Sequence, residues 1–296
     1  IYMASTSFPF QDRQNAGIVA DALNLSTRIQ TLDISSSQRA GSSALLTALQ
    51  SVRSAEGPIL VSASEKRRAR AASPLELTTG DGAAAVLVGE GEPIAHYIGG
   101  HTEAVDFVDH YRGEGEAFDY NWEERWVRDE GYMKIAPNAI NNLLDKVGVS
   151  AQDIDTFCFP VAMRRVASGL ARKIGIAEES VADNLQSRCG ETGSAHSLVL
   201  LVHALEQAEP GEKILVAGFG QGCDVLLFEA TEAIKAAGDR LAIGEHLARG
   251  RAENRYTRYL SFNNLLTMER GIRAEVDKQT GLSTLYRNKG MSQKLL

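Results

Sequence analysis

Apolar and polar positions alternate along this chain in two kinds of block. Apolar runs of four to seven residues are separated by longer stretches with apolar residues at helical spacing, the pattern of buried strands joined by helices. Ser43–Arg53 (SALLTALQSVR) reads as a helix, Gly57-Pro58 as a turn and Ile59–Ala63 (ILVSA) as a strand. A later block repeats the order, with Ser197–Glu206 as helix, Pro210-Gly211 as turn and Ile214–Ala217 as strand. Each block runs on through a glycine-containing turn into another apolar strand, Gly82–Val88 and Gly222–Phe228. Upstream of each lie a strand and a small-residue helix: Ile1–Ser5 with Asn15–Leu23, and Ile154–Phe159 with Arg164–Ile174. The chain therefore reads as two copies of one α/β unit.

The second copy starts earlier than the first, with a strand near Ile94–Ile98 and a helix near Ile135–Lys146. The first copy has no such pair, so one strand and one helix are expected ahead of residue 1. The domains predicted are 1–92, an incomplete N-terminal half, and 93–230, a C-terminal half with an insertion at 99–131. Residues 231–296 form an Arg-rich extension. The insertion is polar and aromatic (Phe107, Tyr111, Phe118, Tyr120, Trp122, Trp126) and reads either as a lid or binding loop, or as a surface excursion pinned by its aromatics. In the extension, Leu260, Leu265, Leu266 and Met268 suggest an amphipathic segment. The mixed charges of Arg249–Arg258 suit a linker or partner-binding arm.

Composition narrows the class. The 296 residues are 44% hydrophobic and 23% charged, with a formal net charge of -7. That excludes a disordered or fibrous chain and argues against nucleic acid as a partner. No apolar run approaches the roughly 18–20 residues of a membrane span. The three cysteines, Cys158, Cys189 and Cys223, are widely spaced and form neither a CxxC pair nor a disulfide framework, so a reduced, cytoplasmic protein is expected.

The duplicated halves, the strand Gly80-Asp81-Gly82-Ala-Ala-Ala-Val-Leu-Val88 and the turn Gly218-Phe-Gly-Gln-Gly222 resemble the thiolase superfamily. The branch they are most similar to is that of the 3-hydroxy-3-methylglutaryl-CoA synthases and β-ketoacyl-carrier-protein synthases III. The resemblance covers residues 1 to about 230. It implies a five-layer αβαβα fold, a homodimer or hetero-oligomer, and an acyl-CoA or acyl-carrier thioester as substrate, with no tightly bound cofactor. In a subset of the group it also implies a zinc-ribbon/OB-fold domain or subunit. The superfamily holds its nucleophilic cysteine at the head of a buried helix, where the helix dipole and free N–H groups favour a thiolate.

This sequence departs from that chemistry. Aligned on Gly41-Ser-Ser-Ala, the nucleophile position holds Gln38, with Ser37 before it. Pro160 stands where the family has its catalytic histidine, and Glu191 where it has an oxyanion-hole asparagine or histidine. Thr6 falls where the hydroxymethylglutaryl-CoA synthases carry their acid/base glutamate. By this resemblance the catalytic candidates are Gln38, which would orient a thioester carbonyl, Glu191 and His196, which would handle protons, and Ser37, which would need an adjacent base. Arg39, Gly218, Gly220 and Gly222 are the substrate-binding candidates, with backbone N–H groups around Gly220 holding an oxyanion. A catalytically silent subunit is the competing reading.

Other residues carry weaker signals. His203 reads as a core or interface histidine, and Cys223 as a buried inert thiol or a site-lining one. The run Glu65–Arg70 reads as a solvated face or as a contact for CoA phosphates. His101, Asp106, Asp109 and His110 have metal-ligand residue types, but no metal site is assigned.

Overall fold

The computed structural model describes residues 1–237 and 241–267. In the first half, β1 (Tyr2–Ala4), α1 (Asn15–Ala22), β2 (Leu32–Ile34), α2 (Ala40–Ser51), β3 (Ile59–Lys66), α3 (Pro74–Thr78) and β4 (Asp81–Val88) follow in order. The next segment contains β5 (Ala95–Ala104), the short hairpin β6 (His110–Tyr111) and β7 (Tyr120–Asn121), and α4 (Glu124–Trp126), which runs into a π-wound turn, Val127–Tyr132. Then come α5 (Ile135–Val147), β8 (Thr156–Cys158), α6 (Val166–Ile174), α7 (Gln186–Cys189), α8 (His196–Gln207), β9 (Lys213–Phe219) and β10 (Gly222–Ala230). Two further helices, α9 (Ile243–Ala248) and α10 (Tyr256–Phe262), lie in the extension.

Two four-stranded sheets result, of order β2-β1-β3-β4 and β5-β10-β9-β8. The halves share one topology. β1 is parallel to β3 and β8 to β9, while β4 and β10 return antiparallel. A bridge from Phe157 to Val181 stands where β2 stands in the first sheet.

Strand alternation sets the layers. On β9, Ile214 and Val216 face one core, and Leu215 and Ala217 the other. The first core lies between the sheets and is filled by α2 (Ala44, Leu45, Ala48) and α8 (Leu198, Leu201), against Tyr2, Val61 and Leu226. The small residues Ala40, Ala44 and Ala48 recur every four positions, which lets α2 run close to its neighbours. On the far face of the second sheet, α5 and α6 bury Ile140, Leu143 and Leu170 against Phe157, Leu215 and Leu227. On the far face of the first, α1 covers Ile1 with Ala16 and Ala20. The sequence of layers is thus α, β, α, β, α, as the resemblance implies.

The halves differ at one edge. β10 pairs with β5 from Gly222↔Ala104 to Ala230↔Ala95, and its outward residues Cys223, Val225 and Leu227 are fully buried. Among the described residues β4 pairs only with β3, and its outward Ala83, Ala85 and Leu87 are exposed, Leu87 by 67%. β5 is also longer than the sequence suggests. The strand expected to end near Ile98 continues to Ala104, because its pairing with β10 extends through residues read as insertion. In the predicted amphipathic segment of the extension, Leu260 is buried, while Met268 lies outside the described residues. No helix among the described residues is long and apolar enough to cross a membrane.

Candidate active site

A cavity of about 480 Å³ opens where the insertion folds over the heads of the central helices. Its floor presents Gln38, Arg67, Asp109, His110, Tyr132 and Glu191. Pro160, Val161, Met163 and Leu75 form its walls, and Trp122, Arg125, Arg128 and Arg164 stand at its mouth. Aromatic packing fixes the insertion there. Phe107 stacks on Trp126 (6.2 Å, 7°), and Tyr132 meets Phe219 edge-on at 4.7 Å.

Gln38 directly precedes Arg39, the N-cap of α2, and its carboxamide reaches the cavity floor. The orientation of that amide follows from its neighbours. Thr6 donates from both its N–H (2.9 Å) and its hydroxyl (2.8 Å) to one oxygen of Glu65. With its proton spent there, Thr6 Oγ1 accepts, and Gln38 Nε2 donates to it at 3.3 Å. The same Nε2 lies 2.9 Å from His110 Nε2, and Gln38 Oε1 is buried with no hydrogen-bond partner. A buried acceptor without a donor is the kind of group a ligand satisfies.

Glu65 lies behind this relay, 4% exposed, and also accepts from the Ser194 hydroxyl at 2.7 Å. Burial pushes its carboxyl up, but hydrogen bonds from Ser7, Thr6 and Ser194 outweigh burial and hold it below the usual carboxylate range. Arg67 is the central cation, its side chain 6% exposed, with Nε 2.8 Å from Asp119 and Nη1 2.7 Å from Glu191. Burial opposes its charge, yet Glu191 and Asp119 raise the guanidinium above its ordinary value. Asp119 answers in kind: burial raises it, and Arg67 more than reverses this. Arg112 joins Asp119 to the carbonyl of Thr6, tying the hairpin to β1. Gly193, at φ +55°, makes room for the floor, since a Cβ there would sit 2.5 Å from Glu65 Cγ and 2.7 Å from Gln38 Oε1.

The sequence-based candidates divide. Gln38 and Glu191 both line the cavity, Glu191 held by Arg67 and by the N–H of Gly193 at 2.8 Å. The other candidates are not among the cavity's lining residues. His196 is 1% exposed; its Nδ1 accepts from the Thr192 N–H at 2.8 Å, and its Nε2 lies 2.9 Å from the Asn184 carbonyl. Burial lowers its pKa, and with both nitrogens committed to backbone it has none left to face Gln38. The Ser37 hydroxyl donates to the Gly220 carbonyl at 2.8 Å, and no base stands beside it.

Arg39, expected at the substrate, turns inward instead. Its Nη1 pairs at 2.6 Å with Asp224, a carboxylate only 1% exposed that also takes hydroxyls from Ser42, Ser43 and Thr102. The glycines serve close packing. The Gly220 N–H is spent on the Gly222 carbonyl at 2.9 Å rather than offered to an oxyanion, and a Cβ on Gly220 would meet the N atoms of Gln38 and Arg39 at 2.9 Å. A Cβ on Gly218 would collide with Ser42, and one on Gly222 with the Glu103 carbonyl.

No thiol stands at the head of α2. Cys158 and Cys223 are fully buried in strands, where burial pushes the Cys158 thiol up to about 12 and Cys223 higher still. His203 pairs with Glu206 at 3.0 Å, far along α8, and His101 pairs with Glu103. Among the described residues no three His, Cys, Asp or Glu side chains gather as metal ligands would.

Arg67, Asp109 and His110 on the floor, with Glu65 and Asp119 behind it, are not site assignments of the sequence reading, which weighs Glu65–Arg70 only as a solvated face or a contact for CoA phosphates and Asp109 and His110 only as metal-ligand residue types. One signal was available. On β3 the buried positions Ile59, Val61, Ala63 and Glu65 share one face, so period-two alternation places Glu65 inside rather than on a solvated face.

The comparisons agree with the architecture. The family described as 3-oxoacyl-[acyl-carrier-protein (ACP)] synthase III C terminal matches residues 144–226. The hydroxymethylglutaryl-CoA synthase of Methanopyrus kandleri is 28% identical over 272 residues, covering 90% of this chain and 77% of that protein. The same-named protein of Pyrococcus furiosus is 29% identical over 227 residues, covering 75% of this chain and 64% of the relative. Among solved structures, the HMG synthase of the curacin biosynthetic pathway, in complex with an acetyl donor-ACP, superposes with a TM-score of 0.76 at 16% identity, over 88% of this chain and 70% of that one. An HMG-CoA synthase complexed with CoA gives 0.72 at 20% identity, over 84% and 68%. The chain has a thiolase-like fold and is similar in sequence to the hydroxymethylglutaryl-CoA synthases and, over residues 144–226, to the synthase III family. In this thiolase-like protein the floor of the cavity is built around a carboxamide, with its ionised groups locked in pairs around it.

Proposed function

We propose that this protein binds an acyl thioester of CoA or of a carrier protein, and makes or breaks a carbon–carbon bond in it by acid/base chemistry, without a cysteine acyl-enzyme. The observation that carries this reading is Gln38. At the head of the central helix, where the resemblance implies a cysteine, it lines a cavity of about 480 Å³, its N–H groups turned to Thr6 and His110 and its acceptor Oε1 left unpartnered. Such a volume falls within the range of small-molecule sites. Arg125, Arg128 and Arg164 at the mouth suit the phosphates that CoA and phosphopantetheine share. Glu191, fixed by Arg67, polarises the floor. The reading includes a cytoplasmic protein without a tightly bound cofactor, working as a homodimer or with a zinc-ribbon/OB-fold subunit.

A second reading has its own support. Ser37, Arg39 and His196 are all committed to internal hydrogen bonds, as in a chain kept for its scaffold. Calorimetric titration with acetyl-CoA and acetoacetyl-CoA separates the two. Saturable binding, with turnover lost in Gln38→Ala while the fold persists, supports the enzyme. Absence of binding supports the silent subunit.

A further inference from the structure

The cavity has lost the histidine that the resemblance implies at Pro160, yet an imidazole still reaches its floor. His110, from β6 of the insertion, lies with its Nε2 2.9 Å from Gln38 Nε2 and its Nδ1 3.2 Å from Asp109 Oδ1. Because Thr6 and Glu65 orient the Gln38 amide as a donor, His110 Nε2 accepts a hydrogen bond from it and carries no proton of its own. Its own proton therefore sits on Nδ1, 3.2 Å from Asp109 Oδ1, a buried oxygen that makes no hydrogen bond in this structure. A carboxylate 3.2 Å from one ring nitrogen, and on the other a lone pair exposed once a ligand on the cavity floor takes over the Gln38 N–H, is the arrangement of a general base.

The other titratable groups of the floor are spent. Glu65 is saturated with hydrogen bonds behind Thr6, and Glu191 is tied to Arg67 and to the Gly193 N–H. Tyr132 is held as a neutral phenol by burial. Only His110 combines an unprotonated ring nitrogen with a place on the cavity surface, its lone pair held in the free protein by the Gln38 N–H alone.

We propose that Asp109 and His110 are the proton-transfer pair of this site, supplied by the insertion rather than by the loop after β8. The proposal rests on the thioester reading above. When the thioester carbonyl accepts the Gln38 N–H in place of His110, the Nε2 lone pair is released and takes a proton from the carbon α to that carbonyl: the C–H bond breaks, an N–H bond forms, and the released electron pair moves onto the carbonyl oxygen as an enolate. Asp109 stabilises the imidazolium, and returning the proton regenerates both partners, so no further reactant is needed.

Deuterium exchange tests this directly. The protein is incubated with acetyl-CoA in D₂O and the label in the acetyl group is read by mass spectrometry, alongside calorimetric binding of acetyl-CoA. Wild type is expected to exchange. His110→Gln, which keeps a hydrogen-bonding group beside Gln38, should exchange about 100-fold more slowly while binding within about threefold of wild type. Asp109→Asn should lose part of the rate, since its amide positions the ring without stabilising its charge. Undiminished exchange in His110→Gln overturns the proposal, as does a wild type that binds acetyl-CoA without exchanging it. A wild type that binds no thioester refutes instead the reading on which the proposal rests.

Discussion

Removing the Arg67 cation is the sharpest perturbation of the candidate site. Its side chain, 6% exposed, bridges Asp119 at 2.8 Å and Glu191 at 2.7 Å, on elements 52 and 124 residues away in sequence. Arg67→Met keeps much of the apolar stem but strands two carboxylates in a site that also contains Glu65. Breaking a buried pair by deleting one partner costs about 3–5 kcal/mol, because a charge remains without compensation. Arg112 still reaches Asp119, so the lower end of that range is expected, about 3 kcal/mol. The pH dependence carries the sharper signature. In the folded wild type Asp119 is held below its ordinary value of 3.8 by Arg67. Its contribution is therefore complete above that value and is lost as pH falls towards the folded pKa. The variant lacks this contribution, so the gap between the two proteins should narrow between about pH 5 and pH 3. Urea unfolding of both at pH 7, 5 and 3 measures it. A loss below about 1 kcal/mol at pH 7, or a gap that widens on acidification, would refute the reasoning.

Further consequences follow from single groups. Burial holds His196 neutral below its ordinary value of 6.5, so its share of stability is present above pH 6.5 and declines as pH falls from there. Unfolding midpoints of wild type and His196→Asn should therefore converge from pH 7 to pH 5. Arg39→Met leaves Asp224 buried with hydroxyls alone and should cost about 3–5 kcal/mol in thermal or urea unfolding, while acetyl-CoA affinity in the folded protein stays within about twofold. Equal loss of affinity would return Arg39 to the binding site. Gly220→Ala drives a methyl group against the backbone of Gln38 and Arg39. It should lower stability by about 1–3 kcal/mol and weaken thioester binding as Gln38 shifts, both read from one calorimetric series.

The fold was legible in the sequence because its signals are local. Buried strands such as Ile214–Ala217, turns such as Pro210-Gly211 and the small residues of α2 each declare themselves within a dozen positions. The places of Gln38 and Glu191 at the cavity were legible through their alignment positions. The rest of the floor was not, because its chemistry is made by pairing across the chain. Arg67 reads as one more cation in a basic run until Asp119 and Glu191 are brought to it. His110 reads as one metal-ligand residue type in a charged insertion until the β6–β7 hairpin settles on Gln38. Arg39 and His196 failed in the opposite sense. Sequence position put them beside the site, but a buried Asp224 and the turn at Thr192 claim their side chains first. Buried polar groups find partners wherever geometry supplies them, and that competition is settled only in three dimensions.

The most direct test is a crystal structure of the protein soaked with acetyl-CoA. The expected result is pantetheine running from the arginines at the mouth to the floor, with the thioester carbonyl accepting the Gln38 N–H that points at His110 in the free protein, and with Ser37 and all cysteines unmodified. An acetyl group bonded to Ser37 or to any cysteine, or a thioester bound away from Gln38, would contradict it.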